Sequence, residues 1–175
     1  MLKTILILVV IALAAVLVYA ATRPDSFRVA RSLDIAAPPE KIYPLINDLH
    51  RWREWSPYEK KDPAMQRTLS GPPAGVGAAY AWKGNKEVGE GRMEIIETTP
   101  PALIRIQLDF IAPFKAHNIA EFSLQPQGAT TRVTWAMSGP SPYISKLIGV
   151  FMNMDTMIGG DFETGLARLK TLAES

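Results

Sequence analysis

Between Phe27 and Met137 apolar and polar residues alternate in short runs; on either side of that stretch the spacing becomes helical. In FRVARSLDI, Phe27, Val29, Leu33 and Ile35 share one face, with Arg28, Ser32 and Asp34 on the other, which predicts a strand. Arg31 lapses onto the apolar side. Ala37-Pro38-Pro39 ends the run, and a proline is tolerated in the first turn of a helix because its missing N–H would be unpaired there. A short helix through Ile42, Leu45 and Ile46 is expected next. Asp48 then caps a second one carrying Leu49, Trp52 and Trp55, closed by Ser56-Pro57. Six further strands follow. A weak one covers Ala64 to Leu69, and AAYAWK places Tyr80 and Trp82 on one face. Val88 to Glu97 sets Gly89, Gly91, Met93 and Ile95 against Glu90, Arg92 and Glu94. LIRIQLDF faces Ile104, Ile106, Leu108 and Phe110 one way. Asn118, Ala120, Phe122 and Leu124 share the inward side of the next strand, and Val133, Trp135 and Met137 that of the last.

One apolar and one polar face per strand means an antiparallel sheet covered on one side. The cover is supplied by Pro142 to Glu174, whose apolar residues Ile144, Leu147, Phe151, Ile158, Phe162, Leu166 and Leu169 recur every three or four positions. A continuous helix of that length would extend roughly 45 Å at 1.5 Å per residue. Gly159-Gly160 lies inside it, and glycine costs about 1 kcal/mol relative to alanine in a helix. A kink or break is therefore expected at that pair, with the preceding half, rich in Met152, Met154 and Met157, able to move as a gate. Methionine suits adaptable apolar surfaces. The fold class is α+β: about seven strands, two short helices after the first, and a long helix at the end.

The N-terminus is different. From Thr4 to Thr22 there is no charged residue. The run spans about 28 Å, close to the roughly 30 Å hydrocarbon core of a bilayer. Residues 1–22 are read as a single-pass transmembrane anchor, 23–26 as a linker and 27–175 as one domain. A cleaved signal peptide is the competing reading, but the apolar run exceeds the usual length of about 7–15 residues and no polar segment precedes the candidate cut. Lys3 and the terminal amine precede the run; Arg23, Arg28 and Arg31 follow it. Two of those arginines belong to the first strand, so the balance inclines towards a domain outside the cytoplasm.

Composition mainly excludes. The 175 residues carry a net charge of +2, with basic residues scattered singly apart from the pair Lys60-Lys61, so no nucleic-acid stripe is visible. With no cysteine there is no disulfide and no thiolate metal site. His50 and His117 are far apart and lack a third ligand at useful spacing, so no metal or other cofactor is expected. Glu90, Arg92 and Glu94 read as ion pairing on the outer face. Neither Gly75-Val76-Gly77 nor Gly89-Glu90-Gly91 fits a dinucleotide or phosphate loop.

Three separated segments, IAAPPEKIYPLINDLHRWREWSPY from Ile35, GEGRMEIIETTPP from Gly89 and DFETGLARLKTLAE from Asp161, occur in the order found in the helix-grip fold. The sequence resembles the START/Bet v1-like superfamily, and more closely the bacterial polyketide cyclase/dehydrase and lipid-transport family. The resemblance implies a curved sheet gripping the last helix around a hydrophobic cavity. On that basis the inward residues Tyr80, Trp82, Met93, Ile95, Ile106, Leu108 and Phe110 are candidate ligand contacts. So are Phe122, Trp135 and Met137, with Asn118 as the one polar group among them. Phe151, Met154 and Ile158 would flank the mouth. Trp52 and Trp55 are expected to pack across one end of the sheet. The expected function is membrane-anchored binding of a hydrophobic small molecule or lipid. The rivals are a cyclase or dehydratase using Tyr80 or Asn118 to position its substrate, and a protein-interaction module without ligand.

Overall fold

A computed structural model describes residues 1–175. Helix α1 spans Leu2–Thr22, and β1 spans Ser26–Ile35. Three short helices follow, α2 (Pro39–Asn47), α3 (Trp52–Trp55) and α4 (Tyr58–Lys61), with a single 3-10 turn at Leu49–Arg51 ahead of α3. Strands β2 (Gln66–Ser70), β3 (Ala79–Lys83), β4 (Glu90–Thr99), β5 (Leu103–Ala112), β6 (Ala116–Gln127) and β7 (Thr130–Pro140) then run in succession. Helices α5 (Tyr143–Phe151) and α6 (Met154–Glu174) complete the chain. All seven strands form one antiparallel sheet in the order β1-β7-β6-β5-β4-β3-β2.

The pairing register defines two ends. Ser26 lies opposite Pro140, Phe110 opposite Ala116 and Lys83 opposite Glu90. The start of β1, the end of β7 and the β3–β4 and β5–β6 turns therefore share the end at which α1 enters, here the proximal end. The β2–β3, β4–β5 and β6–β7 turns share the distal end.

Helix α6 runs alongside β1 in the same direction. Lys170 Nζ donates to the Asp34 carbonyl at 2.9 Å, and the Ala36 amide donates to Glu174 Oε1 at 2.6 Å. Arg31, the polar lapse on an apolar face, makes the middle contact. Its Nη2 lies 2.8 Å from Asp155 Oδ2 and its Nε 2.7 Å from Glu163 Oε1. These two acids hold the guanidinium charged, well above its usual range, and Arg31 in turn lowers the Asp155 carboxyl.

The expected break at Gly159-Gly160 is not there. The helix passes through both glycines and is interrupted at Met152-Asn153 instead, where Met152 is extended (φ −123°, ψ 126°). The Asn153 side chain accepts from the Thr156 amide at 3.1 Å and so restarts the helix as its N-cap. Gly159 serves a different purpose: it lies midway between Asp155 and Glu163, and a Cβ there would sit 2.0 Å from Arg31 Nη2. The missing side chain is the slot in which the arginine lies across the helix.

Ser56-Pro57 ends α3 as expected, with Ser56 as its C-cap, and α4 begins as a separate short helix at Tyr58. On the outer face Lys83 pairs across strands with Glu90, at 3.3 Å, and Arg92 with Glu94 along its own strand.

Gly165 faces the sheet, and a Cβ on it would stand 2.7 Å from the Trp135 ring and 3.1 Å from Pro57 Cδ. Leucine is the better helix former by about 1 kcal/mol or slightly less, yet the overpacking penalty of about 1–3 kcal/mol or more wins. Gly165→Leu is expected to lower the urea midpoint of the full chain in detergent; an unchanged or raised midpoint would mean that α6 does not sit this close to the sheet.

Candidate functional site

The concave face divides into a filled distal half and an open proximal lip. In the filled half Trp135 stacks on Phe162 of α6 with centroids 4.1 Å apart, and on Phe122 at 4.9 Å. Trp52 and Trp55 lie 4.9 Å apart, tilted, and both meet Phe122 and Trp135 edge-on with centroid distances from 5.6 to 6.3 Å. Their indole N–H groups donate to the Ile46 and Leu45 carbonyls, both at 2.9 Å, so α2 and α3 are tied together as they cover the sheet. Phe122, Trp135, Ile95 and Ile106 lie wholly within this packing and present no surface to a ligand. The cavity implied by resemblance is thus occupied here by the protein's own rings.

Towards the proximal end the packing loosens. Trp82, Leu108, Phe110 and Ile158 are only partly buried. Trp82 and Phe110 meet edge-on at 5.8 Å, with Tyr80 6.3 Å from Trp82. The Trp82 indole N–H donates to the Val88 carbonyl at 2.9 Å, and the ring lies directly over Gly91. A Cβ on Gly91 would be 2.5 Å from that ring and 2.6 Å from the Asp109 carbonyl, which is why glycine stands on this face. Its neighbour Gly89 has φ +65° and turns the chain beside Ala112 before β4 begins.

Met93, Met137 and Asn118 form the buried floor. The Asn118 amide nitrogen lies 3.9 Å from Met137 Sδ, while its Oδ1 has no partner and rests against Gly139. Phe151 and Met154, expected at the mouth, point into solvent with 75% and 45% of their surfaces exposed. Two surface pockets are present: a groove of about 220 Å³ along β2–β4 is lined by Thr68, Ala81 and Arg92 and also touches Trp82 and Gly91, and one of about 90 Å³ lies by His50 and Pro72.

A polar cluster closes the wall behind Tyr80. The Tyr80 hydroxyl donates to Glu59 Oε1 at 2.6 Å, and Arg67 donates to Glu59 Oε2 at 2.7 Å. The Glu59 side chain is 8% exposed, so its charge is held by these two donors rather than by water. Nothing in the spacing of Glu59, Arg67 and Tyr80 signals this group; α4 and the β2–β3 register bring the three together. Tyr80 therefore has its hydroxyl committed. Burial, then the Glu59 carboxylate, raise its ionisation well above the phenol range, and burial does the same for Tyr58, with a smaller push from Asp161. His117 pairs with Asp109 at 2.7 Å and His50 with Asp48 at 2.9 Å, both at the surface.

The sheet wrapped along one terminal helix, with short helices capping the bay after the first strand, defines a helix-grip α+β protein. The sequence profile for "Polyketide cyclase / dehydrase and lipid transport" matches residues 26–174, and the chain belongs to that family. No curated protein sequence matches it. Among solved structures, protein CV1439 from Chromobacterium violaceum superposes with a TM-score of 0.60 at 18% identity, over 87% of this chain and 99% of that one. Major latex-like protein 151 from Panax ginseng gives 0.59 at 12% identity, covering 85% and 97%. The di-domain ARO/CYC BexL of the BE-7585A biosynthetic pathway gives 0.63 at 12%, covering 90% of this chain and 53% of that one. At these identities the likeness is one of fold.

Two expectations follow from the Glu59 cluster. Arg67→Ala leaves a carboxylate without its cation and should cost about 3 kcal/mol in urea unfolding, whereas Tyr80→Phe, which keeps the ion pair, should cost about 1–2 kcal/mol. Equal small losses would show the cluster to be solvated. The raised phenols also fix a sign: the folded chain retains protons that the unfolded chain releases above about pH 10. Their contribution is complete below that pH and is lost as pH rises through the folded values. The fall in urea midpoint between about pH 8 and about pH 11 should be smaller in the Tyr58→Phe/Tyr80→Phe variant than in the parent; an equal fall would contradict it.

Proposed function

We propose that the chain is a membrane-anchored binder of a hydrophobic small molecule or lipid, held at the proximal lip of the grip. The observation that carries this reading is the pairing of two apolar features at one end of the molecule. The lip residues Trp82, Leu108, Phe110 and Ile158 remain partly uncovered, and α1, with a mean hydropathy of 2.9 over its most apolar window, enters at the same end of the sheet. A ligand that partitions into the bilayer would be presented to the lip at high local concentration. Asn118, the polar group on the floor, has an unused acceptor that suits a hydroxyl or amide of such a ligand. Trp82, Leu108, Phe110, Asn118, Met137 and Ile158 are the contacts this reading retains.

The packing of α1 supports retention over cleavage of a leader. Ala20 is wholly buried, and the Tyr143 hydroxyl donates to the Leu17 carbonyl at 3.0 Å. Arg28 and Arg31 belong to β1, and Arg31 is paired within the domain, which leaves Lys3 and the amino terminus against Arg23 and favours a domain outside the cytoplasm. The cyclase alternative is weaker, since the Tyr80 hydroxyl it would use is bound to Glu59.

Native mass spectrometry of the full chain extracted in mild detergent tests the reading. The parent should carry a hydrophobic adduct, and Leu108→Glu, which sets a charge on the partly exposed lip, should lower its occupancy about tenfold or more. An adduct retained in full by a folded Leu108→Glu variant, or no adduct on the parent when lipid is supplied, would overturn it.

A further inference from the structure

We infer that α5 and the tip of the β5–β6 turn form a second contact with the lipid surface, seating the proximal end of the domain on the bilayer. The inference rests on α1 being a retained anchor, and its starting point is α5. Ile144, Ile148 and Phe151 fall at i, i+4 and i+7 and are 60%, 36% and 75% exposed. That apolar stripe has no partner in the protein. The opposite side of the same helix is fixed: Lys146 is buried to 8% exposure and reaches back to Asp25 in the linker, whose carbonyl accepts from the Ser141 amide at 2.7 Å. The helix is therefore held with its apolar stripe outward, and rotating the stripe inward would pull Lys146 away from Asp25.

What covers the stripe follows from where α5 touches α1. Tyr143 bonds the Leu17 carbonyl, which lies five residues before the end of α1 at Thr22. At 1.5 Å per residue that contact is about 7.5 Å inside the apolar run. A segment in contact at that level shares its depth, which is that of an interfacial amphipathic helix, buried about 5–10 Å at the headgroup boundary. Tyrosine at its first position suits the same layer. The register carries the surface across to the sheet. Ile119 pairs with Ser138, so the β5–β6 turn projects past the end of β7 where α5 begins. At its tip Phe114 is 73% exposed. The bilayer is the occupant that meets α1, the α5 stripe and Phe114 together.

The chain has no cysteine, so single cysteines can be introduced and labelled with an environment-sensitive fluorophore in the full chain. Val10→Cys reports on the anchor, Phe114→Cys and Phe151→Cys on the proposed contact, and Gln127→Cys on the distal end. In phosphatidylcholine vesicles containing acyl-brominated lipid, the labels at 10, 114 and 151 should be quenched and that at 127 should not. Quenching at 10 without quenching at 114 and 151 overturns the seating while leaving the anchor intact. No quenching at 10 overturns the anchor reading and the seating with it. Labels at 114 and 151 shielded from both bromolipid and aqueous iodide would mean that a second copy or another protein covers the patch, which also overturns it.

Discussion

The contact on which the architecture depends is the face-to-face packing of Trp135 between Phe162 and Phe122, which fixes the last helix to the sheet. Aromatic pairs of this kind contribute about 0.5–1.5 kcal/mol beyond the area they bury, and here two stacked pairs share one ring. The close approach requires a glycine at position 165, and it draws Trp52 and Trp55 into the same cluster from the opposite side. Because those helices hang from β1 and the rings belong to β6, β7 and α6, elements distant in sequence become one core. The same cluster consumes the space that a roomier grip would leave for ligand in its distal half. The inward residues left partly uncovered, Trp82, Leu108, Phe110 and Ile158, lie towards the proximal lip.

Arg31 gives the second constraint. An arginine on an apolar strand face, a glycine in the middle of a helix and acids one turn to either side are each a local misfit. Together they are one contact, because the guanidinium crosses the helix at Gly159 and bonds Asp155 and Glu163. This clamp orients the first turns of α6, and hence the break at Met152-Asn153 and the helix beyond it. The proximal end thereby combines fixed and exposed parts: α6 is locked to β1, while Phe151, Met152, Met154 and Met157 project outward.

Strand alternation made the sheet legible, and all seven strands stand where the period-two pattern puts them. Family resemblance supplied the grip, which alternation alone could not. The helix break was misplaced because the apolar stripe runs unbroken through Met152-Asn153, and because glycine was weighed by propensity when its role was to admit Arg31. Asn153, followed three residues later by the Thr156 amide it accepts from, was the overlooked signal. Among site residues, parity identified Trp82, Leu108, Phe110 and Asn118 as inward-facing. It could not separate them from Phe122 and Ile106, which face inward equally but are sealed by α2, α3 and α6. Which inward residue stays uncovered depends on helices packed from elsewhere in the chain. The Glu59–Arg67–Tyr80 cluster was invisible for the same reason.

The concave face has a sealed half and a half left partly uncovered, and the proposed ligand would meet only the second. Methyl-labelled NMR of the full chain in bicelles, titrated with a short-chain lysophospholipid, tests that division directly. The account predicts shifts concentrated at the Leu108 and Ile158 methyls, with Ile42, Ile95 and Ile106 unmoved. Shifts largest at Ile95 and Ile106, or none at Leu108 and Ile158 at saturating lipid, would contradict it.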